Sequence, residues 1–424
     1  LTHSNVLNII QLQAPGFELQ DDIQNGSNPN KVPDMVLRGR SSFIEGDQTN
    51  VPLFILDGTE VDITYIFDMP AEDIESISIL KDASATSFYG SKAANGVIVI
   101  TSRPTQYGKL QVSYSGNMQV SVPDLSDYRL LNAADKLEYE RQAGIYGNFT
   151  GSSSTDIAWQ KVYYEKLDRV NAGVNTDWKR LALRTGLTHL HNIMLSGGSR
   201  DFRYNVSGNI NSTLGIMDES GRNSSSLRIN ITYGSLSKLF IQNIASFSAA
   251  RSKDVPYGKF SDYVRLNPYD MPYNADGSLN TELSFNTANP LYEKQLSSYI
   301  HSSSDSFIDT FKLRWNIVEG FRAEATLSYT LTKSGGVTFY SPKSQRFNTT
   351  ADPKKKGSSD VNDGTSNTLS GNAFLVWNKS WGETLTQTSS LSLTGGVNVE
   401  ATKSDTHSFS ALGILSDKLE HPSM

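Results

Sequence analysis

The sequence predicts a transmembrane antiparallel β-barrel preceded by a small mixed α/β module. Three observations carry this reading. Long runs of period-two alternation begin after residue 108, the connections between them alternate between short and long, and the first hundred residues follow a different pattern of short strands and a helix signal. Phe202, Tyr204, Val206, Gly208 and Ile210 alternate with Arg203, Asn205, Ser207 and Asn209. Phe321, Ala323, Ala325, Leu327, Tyr329 and Leu331 alternate with Arg322, Glu324, Thr326, Ser328 and Thr330. One face is apolar and the other polar for about ten residues at a time, which is the length and pattern of a tilted strand crossing a bilayer.

Within residues 1–108, Val51–Leu56 is a short apolar run closed by the turn pair Asp57-Gly58, where Gly58 supplies a positive φ and Asp57 caps its own turn. Ile74–Leu80 places Ile77 and Ile79 opposite Ser76 and Ser78, and Val97–Thr101 is a β-branched strand. Asp82 is placed to cap a short helix over Ala83–Tyr89 that Gly90 stops. Lys81 and Asp82, at this strand–helix junction, are expected to cap and to form ion pairs, and Gly90 and Gly96 to serve turns or close packing. These strands are too short and too polar at their ends to cross a membrane.

From Leu110 the predicted strands are 110–120, 191–199, 202–211, 225–233, 238–249, 306–317, 321–332, 369–379 and 383–397. The connections near 200, 234–237, 318–320 and 380–382 are short, and the others run from about 13 to 70 residues. A sandwich has no reason to lengthen every second loop, whereas a barrel places short turns on one rim and long loops on the other. Closure follows from the solvent, since in hydrocarbon every backbone N–H and C=O needs a partner and a sheet must lose its edges. An odd count of nine argues that the barrel continues beyond Met424, and Leu1, which is no initiator and precedes no signal peptide, argues for a preceding segment. Tyr233, Phe240, Trp315, Phe321, Tyr329 and Trp377 suit an interfacial girdle.

The long loops have content. Leu125–Gly144 and Ile157–Arg169 read as helices, and residues 334–368 as a mobile polar tract. Residues 250–305 hold Tyr257, Tyr263, Tyr269 and Tyr273, rings with polar tips suited to a cargo or a covering protein, with ordinary loop packing as the competing reading. On the polar strand face, Arg203, Arg228, Lys312, Arg314, Arg322 and Glu324 would tune a lumen or pack against whatever fills it.

Composition excludes several classes. With 38 Lys+Arg against 44 Asp+Glu the net charge is −6, unlike a dedicated nucleic-acid binder. There is no cysteine, so disulfides and thiolate metal sites are out, and the 6 histidines show no ligand spacing. No carboxylate pair or Ser/His/Asp set stands out, so no catalytic residue, cofactor or metal is expected, and the chain does not read as an enzyme.

One stretch carries a resemblance. Asn50-Val51-Pro52-Leu53-Phe54-Ile55-Leu56-Asp57-Gly58 is followed by Asp73-Ile74-Glu75-Ser76-Ile77-Ser78-Ile79-Leu80-Lys81-Asp82-Ala83-Ser84-Ala85-Thr86, and then by Tyr89-Gly90-Ser91-Lys92-Ala93-Ala94-Asn95-Gly96-Val97-Ile98-Val99-Ile100-Thr101. Together these resemble the plug signature of SusC/RagA-type TonB-linked outer-membrane proteins of Bacteroidota. Asn175-Thr176-Asp177-Trp178, Ser196-Gly197-Gly198-Ser199 and Ala288-Asn289-Pro290-Leu291-Tyr292 look like further landmarks of that family. The resemblance implies a 22-stranded barrel, incomplete in this chain, filled by a plug. Residues 1–108 would be an N-terminally incomplete plug and 109–424 the first part of a multi-pass barrel in the cell outer membrane. Asp57, Gly58, Lys81, Asp82, Tyr89, Gly90, Asn95 and Gly96 would be the structural plug signature. The implied function is energised import of oligomeric nutrients, glycan or peptide, with a SusD-like surface lipoprotein and the TonB-ExbB-ExbD complex. The alternative is an adhesin or structural barrel without active transport, which leaves the α/β module unexplained.

Overall fold

A computed structural model of the protein describes residues 6–13, 16–19, 28–33, 35–37, 51–80, 89, 92–147, 149, 153–384 and 387–416. Residues 83–88 of the expected helix and the signature residues Lys81, Asp82 and Gly90 lie outside these residues. The N-terminal part begins with a helix, Val6–Gln13, and an antiparallel pair, β1 (Phe17–Leu19) with β2 (Met35–Leu37). Four strands follow: β3 (Leu53–Leu56), β4 (Thr59–Glu60), β5 (Ile74–Leu80) and β6 (Val97–Ser102), in the spatial order β4-β3-β6-β5. The central pair β3 and β6 is parallel. Such a pair is covered on both faces, which is why both strands are continuous apolar runs. Asp57 (φ 51°) and Gly58 (φ 85°) join Leu56 to Thr59 in a two-residue hairpin turn with both residues left-handed. The helix Ile63–Asp68 is capped by Asp62, whose carboxylate accepts from the Thr64 amide at 2.8 Å. Phe54, Leu56, Ile66, Ile98 and Ile100 form one core with Val6 and Ile10, and Ile308 of the large sheet joins it.

That sheet is antiparallel and nine-stranded. It comprises β7 (Gly108–Ser121), β8 (Gly186–Gly198), β9 (Phe202–Leu214), β10 (Gly221–Gly234) and β11 (Leu239–Asp254). A two-residue pair, β12 (Glu282–Leu283) and β13 (Thr287–Ala288), stands in the next loop. Then come β14 (Tyr299–Val318), β15 (Phe321–Tyr340), β16 (Ser358–Thr384) and β17 (Gln387–Leu412). Each strand pairs with its sequence neighbours in the sheet, and β7 and β17 are its two edges, so the sheet is an arc of a barrel.

Every strand predicted from alternation is present, and most run longer. The tract expected as a mobile loop at 334–368 is mostly strand, leaving a connection of 341–357, and the loop expected at 250–305 contracts to 255–298. The connection between β9 and β10 is short, 215–220, where a long loop was expected. The reason is physical. Past the hydrocarbon a strand has no apolar face to maintain, so Ser, Thr, Asn and Gly continue the ladder without alternation. Hydroxyls pair across it instead, as Ser366 with Ser404 at 2.9 Å and Thr368 with Thr402 at 3.0 Å. The predicted loop helices are present as Ala133–Gln142 and Ser154–Asn171.

The two faces are inverted relative to a soluble protein. Ile193, Leu227, Tyr233, Phe247, Trp315, Leu327 and Leu375 are exposed on the outer face, while Asn192, Ser207, Asn209, Arg228, Asn230, Thr310 and Ser328 are buried on the inner one. Apolar outside and polar inside is the arrangement lipid selects. Asn243 and Asp309 interrupt the outer belt, with the Asn243 amide donating to Asp309 Oδ1 at 2.8 Å. Phe240 departs from the expected girdle, because it lies in register with Arg314 on the lumen side. Leu327→Arg, on the lipid face, is expected to cost about 2–4 kcal/mol in folding titrations from urea into vesicles, and Thr332→Arg on the lumen side far less.

Candidate functional site: the plug–wall interface

The hairpin turn aims Asp57 at the wall. Asp57 Oδ1 accepts from the Ser102 amide at 3.0 Å, and Oδ2 accepts from Arg228 Nη2 of β10. Arg228 also donates to Ser246 Oγ at 3.1 Å. Both members of this ion pair are buried, with side chains 10% and 7% exposed. A second pair lies beside it. Arg222, six residues earlier and on the same face of β10, donates through Nε to Asp68 Oδ1 at 2.9 Å, and its second donor reaches the other carboxylate oxygen. The two-pronged geometry fixes orientation as well as charge. Asp73 completes the row, accepting from Ser207 Oγ at 3.2 Å and Asn209 Nδ2 at 3.5 Å. Burial pushes the Asp73 carboxyl up from its ordinary value, against the opposing pull of Arg228. Thr59 meets Thr310 of β14 at 3.0 Å.

Lys92 bridges differently. Its ammonium donates to Glu60 at 2.9 Å and to Glu400 of β17 at 2.7 Å, and all three side chains are about half exposed. Between these contacts lies a cavity of 1030 Å³, lined by plug residues and by β8 to β11 and β14 to β17 of the wall.

Of the signature residues that are described, Asp57 is an interface group and Gly58 its turn partner. Gly96 (φ 92°) holds a left-handed backbone that strains any L side chain, and a Cβ there would lie 2.7 Å from Leu37 Cδ2 and 3.3 Å from the Leu80 carbonyl oxygen. Tyr89 packs against the small core of Ile55, Ala93 and Val97, and the Asn95 amide donates to the Val51 carbonyl at 3.5 Å. Of the six polar-face residues, Arg228 meets the plug. Arg314 and Arg322 both pair with Glu324, at 2.7 and 2.9 Å, and Arg203 donates to the Gly234 carbonyl at 2.8 Å. Lys312 shares the inner face near Asp57 and Arg228. The sequence reading missed Arg222, Asp68, Asp73, Lys92 and Glu400. The shared parity of Arg222 and Arg228 on one strand was the signal available for the first.

The loop tyrosines are largely structural. Of the four tyrosines expected to meet cargo or lipoprotein, Tyr257, Tyr263 and Tyr269 are buried in the loops' own cores and Tyr273 is exposed. Glu140, on the helix Ala133–Gln142, accepts from Tyr269 at 2.8 Å. Lys166, on the helix Ser154–Asn171, donates to Tyr146 at 3.0 Å, and its ammonium lies 4.6 Å from the Tyr269 ring centroid and 3.9 Å from that of Phe285. Burial pushes the Lys166 amine down to about 8, against the pull of Glu140 and Asp270. The expected landmarks also stitch these loops: Trp178 Nε1 donates to the Asn267 carbonyl at 2.9 Å, and the Asn289 amide to those of Pro272 and Asn280 at 2.9 and 2.7 Å.

Two outcomes follow. Arg228→Gln strands a buried carboxylate, so plug docking should lose about 3–5 kcal/mol, read as protease sensitivity of the plug, and Asp57→Asn in the same chain should restore part of the loss. A lysine with a depressed folded value contributes stability that is present above its unfolded value of 10.5 and lost as pH falls through about 8. Protection of the Tyr146 and Phe285 segments in hydrogen exchange, corrected for intrinsic rate, should therefore rise over that window, and Lys166→Met should flatten it.

Residues 2–97 match the model of the TonB-dependent receptor plug domain. The chain is 32% identical to the TonB-dependent receptor SusC of Bacteroides thetaiotaomicron over 208 residues, 47% of this chain and 18% of that protein. It is 26% identical to a TonB-dependent receptor of Formosa agariphila over 418 residues, 93% of this chain and 36% of that one. Among solved structures, the RagAB peptide transporter superposes with a TM-score of 0.74 at 20% identity, covering 99% of this chain and 49% of its counterpart. The chain thus spans about half or less of the proteins it matches. Residues 2–97 therefore carry the TonB-dependent receptor plug domain, the chain is similar to SusC-type TonB-dependent receptors, and the sheet wrapped on the plug has the fold of the RagAB structure.

Proposed function

We propose that the chain supplies the plug and part of the wall of an energised importer of oligomeric nutrients, glycan or peptide. In this reading residues 1–108 close the lumen and 109–424 carry the wall and surface loops. A SusD-like surface lipoprotein delivers cargo, and the TonB-ExbB-ExbD complex draws on the inner-membrane proton gradient to displace the plug. The signature residues Asp57, Gly58, Tyr89, Asn95 and Gly96 hold the plug's shape, and exposed Tyr273 remains the ring available to cargo or lipoprotein.

The observation that carries the reading is the plug seated on the lumen face by ion pairs that no passive barrel needs, Asp57 with Arg228 and Asp68 with Arg222. A structural barrel gains nothing from a removable stopper. Isolation of the full-length receptor from its native outer membrane should recover a surface lipoprotein and a bound oligomer. Cells lacking TonB should bind that oligomer at the surface and fail to import it. Equal import with and without TonB would refute the reading.

A further inference from the structure

Along β9 and β10 the wall sets two guanidiniums against three plug carboxyls. Asp57 has Arg228 and the Ser102 amide, and Asp68 has two nitrogens of Arg222. Asp73, just ahead of β5, is 6% exposed, and among the described residues its carboxyl touches neither a cation nor a backbone amide. Its Oδ2 meets Ser207 Oγ at 3.2 Å and Asn209 Nδ2 at 3.5 Å. The longer contact is shared, because Asn209 Nδ2 also donates to Ser226 Oγ at 3.2 Å. Arg228 spends Nη1 on Ser246 and Nη2 on Asp57, so it attracts Asp73 without bonding it. Glu72, the preceding residue, repels it, and Lys312 of β14 faces Asp57 and Arg228 instead. Neither β9 nor β10 is an edge of the sheet, so further strands beside β7 or β17 would add to the burial of Asp73 and not relieve it.

We propose that Asp73 docks as the neutral acid, so that seating the plug takes up a proton and withdrawing it releases one. Burial disfavours the charged form of a carboxyl, and only a cation in contact or several donors offset that. Asp73 has a hydroxyl and a shared amide. As the acid it donates through Oδ2 to Ser207 Oγ, and the contact becomes a neutral hydrogen bond. Off the wall the carboxyl regains water, ionises at its ordinary value of 3.8 and gives its proton to solvent. Burial raises the docked value above that one, against the pull of Arg228. A group shifted in this direction stabilises docking fully below 3.8, and the contribution is lost as pH rises through the docked value. Acid therefore tightens the stopper and neutral medium loosens it. The inference needs a docked plug and does not need transport.

The test uses the full-length receptor in lipid vesicles, with hydrogen exchange of the β5 and β6 amides, corrected for intrinsic rate, as the measure of docking. Between pH values of about 4 and about 8, protection in the parent should fall as pH rises, by up to about tenfold per unit where Asp73 ionises. Asp73→Asn keeps the shape of the neutral acid, so it should remove the fall and hold protection near the parent's acid value. Asp73→Ser answers the same question should the amide variant fail to fold. Glu75→Gln, at an exposed carboxylate two residues along, should keep the parent's slope. A parent profile flat in pH overturns the proposal. So does a slope that survives in Asp73→Asn or Asp73→Ser, or one that disappears in Glu75→Gln. An independent readout is the infrared carbonyl band of a protonated carboxyl. The parent should show it and lose it with the same midpoint as the protection, and its absence from the parent overturns the proposal as well.

Discussion

The buried pair of Asp57 and Arg228 is the constraint that ties the two parts of the chain together. Two charges leave water to form it, and the interior repays that only when the geometry is good and the remaining donors and acceptors are filled. Ser102 fills one side and Ser246 the other. The turn at Asp57-Gly58 fixes where the carboxylate points, and strand parity fixes the guanidinium. Because side chains alternate at every residue, a one-residue slip of β10 would send Arg228 into lipid and Leu227 into the lumen. The register that keeps the belt apolar is therefore the same one that seats the plug.

How far the sequence reading went follows from the same physics. Lipid contact imposes period two, so the nine strands stood out from residues such as Val206, Ile210 and Leu327. Beyond the bilayer that constraint lapses, and the polar rungs of β15 and β16 looked like loop. At the site, the alternation could place Arg228 on the inner face but could not pair it with Asp57, 171 residues away. Asp68 and Asp73 were hidden for a related reason: a carboxylate at a helix end or before a short strand has many ordinary explanations, and only the wall opposite selects among them. Lys92 sat in the recognised signature with no clue that Glu400 would meet it.

The loops obey a different rule, and it explains why their tyrosines turn inward. A loop on a soluble protein borrows its core from the domain beneath it. Here the sheet offers nothing to borrow, since its outer face belongs to lipid and its inner face is polar. The long connections must therefore build cores of their own: Tyr257, Phe260 and Tyr263 with Met217 in one, Ala133, Leu137, Tyr146 and Tyr269 in another. Such small cores cannot exclude every polar atom, so the second is completed by Lys166 set among aromatic rings beside Glu140. Aromatic residues suit the task because each fills a large volume while its hydroxyl still finds a partner. An aromatic-rich surface loop on a membrane barrel is thus first a device for standing up without a floor, and only the rings left over, such as Tyr273, are free to meet anything from outside.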